Sequence, residues 1–128
     1  MIVIYGMKDQ LNPIKARLSD VIHDCMRSVF GLPGDKRSHR FIPMAKDDFY
    51  YPGGRSDAYT IIEINMMAGR QTETKKKLIK SLFGEIEREL AIAPVDIEII
   101  IKEQPAHCWG FSGMTGDEAT ELNYKIDV

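Results

Sequence analysis

Among the 128 residues of this chain, Arg70 is the side chain best placed to do chemistry. It follows an apolar, β-branched segment at 60–66 and precedes an amphipathic segment at 72–90. It therefore stands at the carboxyl end of a strand and beside a helix N-terminus. Ligands of α/β sheets often bind at that end. A guanidinium there grips a carboxylate through two parallel hydrogen bonds, and the helix terminus favours the same negative charge. The alternative is a solvated loop arginine. A second group, Asp35, Arg37, His39, Arg40 and Arg55, clusters around another strand segment and reads as surface ion pairing. Trp109 and Phe111, in His107-Cys108-Trp109-Gly110-Phe111, either wall an apolar pocket or anchor a loop.

Other chemistries find less support. His23, His39 and His107 with Cys25 and Cys108 show no second pair at metal-ligand spacing, so no metal site is expected. Cys25 falls on an apolar helical stripe and reads as core. Cys108 becomes a nucleophile only if His107 or His39 lowers its pKa, and adjacent side chains rarely face each other productively. No serine elbow, P-loop or dinucleotide fingerprint is present. The glycines of 110–116 follow no strand–helix crossover, so neither phosphate nor cofactor is expected there. Lys+Arg 17 against Asp+Glu 19 gives a net charge of -2, which leaves no basic stripe for nucleic acid. No apolar run nears the ~20 residues of a membrane span. The first six residues carry no charged leader of a signal peptide, and two cysteines make no disulfide scaffold. A single cytoplasmic domain over residues 1–128 is expected.

The elements that must position these groups follow from periodicity. A strand is expected at 2–5, stopped by Gly6. Asn12 reads as an N-cap and Pro13 as the first residue of a helix. Its buried stripe is Leu18, Ile22, Cys25, Met26 and Phe30, and Gly31-Leu32-Pro33-Gly34 ends it. A short strand at 40–44 leads into 45–58, a turn-rich excursion with Phe49, Tyr50 and Tyr51 that reads as a loose hairpin. The strand at 60–66 places Ile62, Ile64 and Met66 on one face and Ile61, Glu63 and Asn65 on the other. The helix at 72–90 buries Leu78, Leu82, Ile86 and Leu90. Ala93-Pro94 breaks it before a strand at 95–102. Residues 104–120 read as loop, and 123–128 as a short terminal strand.

A shift of 60 residues lays Leu18, Ile22, Met26 and Phe30 on Leu78, Leu82, Ile86 and Leu90. The chain is thus two β-α-β units, each with parallel strands, predicting an α/β (α+β) four-stranded mixed sheet with both helices on one face. The other face carries Ile61, Glu63, Asn65, Asp96, Glu98, Ile100 and Lys102. That is too apolar for open solvent and too polar for a dry core, so a second subunit should cover it.

The repeated halves, the strand at the N-terminus, Leu32-Pro33-Gly34-Asp35-Lys36-Arg37 after the first helix and Gly69-Arg70 before the second resemble the tautomerase superfamily. The Trp109-Gly110-Phe111 segment and the chain length resemble its malonate-semialdehyde-decarboxylase-like branch. The resemblance spans essentially the whole chain. It implies a homotrimer whose open sheet faces enclose a central barrel, with a small pocket at the N-terminus. In active members an N-terminal proline acts there as base or acid and arginines bind a carboxylate or carbonyl; in the decarboxylase-like branch an Asp assists and aromatic groups shape the pocket. Here Asp35 matches the assisting Asp, Arg70 the second of two arginines flanking a proline, and Trp109 and Phe111 the aromatic segment. Arg37 is taken with Arg70 as substrate-binding. The first arginine falls on Ala68 and is lost, and Gly69 replaces the proline between the pair.

The N-terminus departs furthest from that pattern. No proline stands at position 2, and bulky Ile2 should protect Met1 from removal. The family's proline aligns either just before Met1 or on it. In the second case the Met1 α-amine takes the catalytic place. An ordinary α-amine has a pKa of about 7.7–8.0, which burial would lower. Its flexible side chain would be less preorganised than a proline ring. Two functions follow. One is a weak keto-enol tautomerase, or a related lyase, for a small 2-oxo or 2-hydroxy-dienoic acid, with Arg70 on the carboxylate and Met1 or Asp35 moving the proton. The other is a non-catalytic trimer that keeps an anion-binding pocket.

Overall fold

The computed structural model describes residues 1–119 and 126–128. The chain runs β1 (Ile2–Met7), a single helical turn α1 (Lys8–Leu11), α2 (Lys15–Phe30), β2 (His39–Met44), β3 (Thr60–Met67), α3 (Thr72–Leu90), β4 (Ile97–Gln104) and a small hairpin, β5 (Gly110–Phe111) with β6 (Met114–Thr115). The main sheet has the order β2-β1-β3-β4. β1 and β2 are parallel, β3 and β4 are parallel, and β1 lies antiparallel to β3 between the two units. This is the expected pair of β-α-β units in one mixed sheet.

The buried face follows the period-two pattern of the strands and the helical stripes. Ile2, Ile4, Ile62, Ile64 and Ile97 pack with Leu18, Ile22, Met26, Phe30, Leu78, Leu82 and Ile86 in one core. Deleting a side chain such as Leu82, which has no exposure, would cost about 2–5 kcal/mol. The repeat extends to the helix exits. Gly31 and Ala91 both take the left-handed conformation, and their N–H groups close on the carbonyls of Arg27 and Glu87 at 2.9 Å. Glycine suits that conformation without strain, whereas Ala91 carries a Cβ penalty.

Several expectations are corrected. Gly6 does not stop β1, which continues to Met7. Asn12 does not cap α2. It adopts helical angles and closes the turn α1, its N–H donating to the Lys8 carbonyl at 3.0 Å, so α2 starts only at Lys15, with Ile14 as N-cap. The strand expected from 95 starts at Ile97, because Pro94–Asp96 coil into a 3₁₀ turn that leaves Val95 exposed. Asp96 accordingly leaves the open face. It is buried and accepts hydrogen bonds from the Ser56 N–H and hydroxyl, both at 2.7 Å. That anchor holds residues 45–58, which form a 3₁₀ turn at Lys46–Asp48 and irregular turns rather than a hairpin. Phe49, Tyr51 and Tyr59 pack their rings at 5.8–6.4 Å, and Tyr50 stays 89% exposed. In the expected loop 104–120 lie the 3₁₀ turn Ala106–Cys108 and the hairpin β5–β6. Of the terminal strand expected at 123–128, residues 123–125 lie outside the described residues, and 126–128 form no strand.

Candidate functional site

The N-terminal residue is held between strands. The Met1 carbonyl accepts the Asn65 N–H at 2.9 Å, its α-amine donates to the Asn65 carbonyl at 3.0 Å, and the Ile2 N–H donates to the Ser38 carbonyl at 2.9 Å. Parallel register sets Ile2 against His39 and Val3 against Arg40. The start of β2 therefore lies beside the chain's first residues, and Arg40 Nη1 donates to Met1 Sδ. On the other side, β3 ends at Met67 and the chain turns through Gly69 (φ 139°) to Arg70.

These segments enclose a cleft of about 580 Å³. Met1, Asp35, Arg37, Arg70, Trp109 and Phe111, the residues expected to form the site, all line it. So do His23, Lys36, His39, Arg40 and Asn65. Among the described residues, four cationic side chains, Lys36, Arg37, Arg40 and Arg70, join the α-amine around this space against one carboxylate, Asp35. The whole chain carries a net charge of -2, so the positive charge is local and favours an anion. The groove between α2 and α3, about 480 Å³, has the opposite balance: Arg17 and Arg88 face Asp20, Asp24, Glu85 and Glu89.

Arg70 is not the solvated turn residue that its sequence position allows. It is buried, and its guanidinium carbon lies 4.3 Å from the centroid of the Phe30 ring. Such a desolvated cation–π contact is worth about 2 kcal/mol and aims the fork. Arg37 donates to Asp20 at 2.6 Å and to Ser19 Oγ at 3.4 Å, which ties the β2 approach to α2. That ion pair is exposed and worth about 0–1 kcal/mol. Asp35 stands exposed in the turn after α2.

The aromatic wall comes from the β5–β6 hairpin. Gly116 N–H donates to the Trp109 carbonyl at 2.8 Å, and a Cβ on Gly116 would meet the Ala106 carbonyl oxygen at 2.3 Å. Glycine at this point lets the hairpin close and brings Trp109 and Phe111 to the cleft. Trp109 Nε1 is buried without a hydrogen-bond partner among the described residues.

Burial, and after it the crowding of positive charge, lowers the pKa of two groups in the cleft. The Met1 amine is pushed below its ordinary value, first by burial and then by Arg40 and Arg70. His39 is lowered to about 4, first by burial and then by Arg37, His23 and the terminal amine. Its ring is therefore neutral at physiological pH. Sequence pattern alone places Arg40 and His39 in surface charge, His23 in a helix interior and Asn65 on the open face, and so misses them as site residues. One signal could have found two of them. Parallel β1–β2 pairing, already implied by the β-α-β reading, places the first residues of β2 next to Met1.

Two β-α-β units under two helices, with a cationic cleft around the chain's own N-terminus, define a tautomerase-like architecture. Residues 36–112, more than half of the chain, match the family model described as tautomerase enzyme. The chain belongs to that family. It is 28% identical over 100 residues to the probable tautomerase YusQ of Bacillus subtilis (strain 168), covering 74% of this chain and 79% of the relative. Its fold resembles that of FG41 malonate semialdehyde decarboxylase inhibited by 3-bromopropiolate, with a TM-score of 0.78, 25% identity and 88% of each chain covered. It also resembles the F6 fused 4-OT wild-type asymmetric trimer, with a TM-score of 0.82, 20% identity, 94% of this chain and 98% of that one. No helix among the described residues is long and apolar enough to cross a membrane.

Proposed function

We propose that the cleft catalyses keto-enol tautomerisation of a small 2-oxo or 2-hydroxy-dienoic acid, with the Met1 α-amine as the proton-transfer group. The observation that carries this reading is the amine itself, hydrogen-bonded to the Asn65 carbonyl inside a cleft that also presents Arg40 and Arg70. A neutral amine that donates one N–H to Asn65 keeps its lone pair for a proton. Arg70, aimed by Phe30, binds the substrate carboxylate, and Arg40 adds positive charge near the reacting end. The amine takes a proton from C3, the C–H electron pair forms the C2=C3 bond, and the carbonyl electrons move to oxygen. The resulting enolate gains from nearby cations in a partly desolvated site. The ammonium then returns its proton to the oxygen, giving the enol and restoring the amine. Asp35 is the second candidate for moving a proton, at the mouth of the cleft. Trp109 and Phe111 wall the apolar part of the substrate, and Arg37 supports the carboxylate end.

Assembly belongs to the same proposal. Tyr5, Ile61, Glu63, Ile100 and Lys102 stand on the sheet face away from the helices, where Ile100 is 47% exposed and Lys102 donates to Glu63 at 3.0 Å. A homotrimer would cover this half-apolar face, and the fused 4-OT neighbour is itself a trimer. Both described cysteines are free and Cys108 is exposed, which suits a reducing, cytoplasmic compartment.

A second reading, a trimer that binds an anion without turning it over, is favoured by Ala68 in place of the first arginine of the pair. Incubation of the untagged protein with 2-oxobutanoate in D2O separates the two. Deuterium entering C3 above the buffer rate, followed by proton NMR, supports the tautomerase. Calorimetric binding with no exchange above buffer supports the anion binder.

A further inference from the structure

We propose that His39 is a further catalytic residue of this cleft, its Nε2–H meeting the substrate's carbonyl oxygen, and that Ser19 is the positioning residue that aims it. This rests on the tautomerase reading and adds to it a group outside the amine, the arginines and Asp35. His39 opens β2 and lines the cleft, half-buried, on the strand paired with β1 beside the terminal residue. Its Nδ1 lies 2.7 Å from Ser19 Oγ on α2. Ser19 Oγ is also 3.4 Å from Arg37 Nη1, and a guanidinium only donates. In the proposed arrangement the hydroxyl accepts from Arg37 and donates to His39 Nδ1, which leaves the ring hydrogen on Nε2.

One further contact packs the ring, and it is itself held in place. His23, buried in α2, meets it edge-to-face with centroids 6.2 Å apart, and His23 Nε2 is held by the Gly34 carbonyl at 3.0 Å. With Nδ1 occupied, Nε2–H is the polar edge that a ligand in the cleft can meet. The charged and titratable groups around it are Arg37, His23, the Met1 amine and neighbouring Arg40. Burial first, and then Arg37, His23 and the terminal amine, keep the ring neutral, and a neutral imidazole polarises a carbonyl by donating a hydrogen bond rather than by giving up a proton. As Met1 takes the C3 proton, charge gathers on the carbonyl oxygen, and the His39 bond strengthens with it.

Three variants test this in the 2-oxobutanoate exchange assay. His39→Asn can replace Nδ1 but not Nε2, and its kcat should fall about a hundredfold with KM within about threefold. His39→Gln reaches the Nε2 position and should recover at least tenfold of that loss. Ser19→Ala should lower kcat about tenfold, and nitrogen-15 NMR should show His39 leaving the single Nε2–H tautomer. Equal kcat in wild type and both His39 variants overturns the proposal, as does a wild-type ring already mixed in tautomer. A wild type that exchanges no deuterium overturns the tautomerase reading instead. Oxamate, which cannot enolise, then decides His39 alone. A shifted His39 Nε2 signal on titration upholds the contact, and an unmoved signal overturns it.

Discussion

Replacing Arg70 by Met removes one positive charge while keeping most of the volume over Phe30, so it separates chemistry from packing. Three effects follow from the structure. A charge-assisted bond to the substrate carboxylate is worth about 1.5–3 kcal/mol, so 2-oxo acid binding should weaken about 10- to 150-fold. Arg70 is also one of the charges that lower the Met1 amine. With it gone the amine rises toward its ordinary value, more of it is protonated at pH 7, and the acid limb of the pH–rate profile moves to higher pH. Finally, the stacked guanidinium itself is lost from a buried position, which removes about 2 kcal/mol of cation–π stabilisation. Arg70→Ala removes the side-chain stem as well and should melt lower than Arg70→Met. Calorimetric titration with oxamate, the exchange profile from pH 5 to 9 and thermal melting measure the three effects. Unchanged oxamate affinity in Arg70→Met, with an unmoved acid limb, would refute Arg70 as the carboxylate anchor and leave it as a packing residue.

Other consequences are quick to check. Light scattering at micromolar concentration should give a homotrimer, and Ile100→Asp on the open face should shift it toward monomer; a wild-type monomer would contradict this assembly. Intact mass of untagged protein should match a chain that retains Met1, and a mass lower by one methionine would make Ile2 the terminal amine. His39 is held at about 4, against 6.5 for a free imidazole, so between these values the unfolded chain binds the extra proton. Its contribution is present above pH 6.5 and lost as pH falls through 4. After solvent screening this is on the order of 1–2 kcal/mol. Urea midpoints should fall over that window and flatten in His39→Gln; identical profiles would show that His39 does not govern it.

Much of the fold could be read from the sequence because local periodicity and burial agree. Ile62 and Ile64 alternate with Ile61 and Glu63, while Leu78, Leu82 and Ile86 recur at helical spacing, and both patterns coincide with what is buried. Element starts were less legible. Asn12 and Pro13 have the chemistry of a helix cap, but the preceding turn α1 draws Asn12 into helical angles where it cannot cap α2. Asp96 looked like a face residue by alternation until the 3₁₀ turn at Pro94 rotated it onto Ser56. In the site, Arg70 was legible by its place after a strand, yet its burial depends on Phe30, forty positions earlier. His39 and Arg40 looked like surface charge because their neighbours in sequence are charged. What gives them a role is the pairing of β2 with β1, a tertiary fact that charge pattern alone does not carry.

The most direct test of the account is to acetylate the Met1 amine and follow C3 deuteration of 2-oxobutanoate. Its lowered pKa makes it more reactive than lysine near pH 6, and intact mass with peptide mapping verifies a single modification at the terminus. Unmodified protein should show exchange that rises with pH to a half-point below the ordinary value near 8. The acetylated protein should lose a hundredfold or more of that rate, in the range expected when a general base is removed, with unchanged circular dichroism and trimer mass. Acetylated protein that exchanges at the unmodified rate would contradict the central claim that the terminal amine moves the proton.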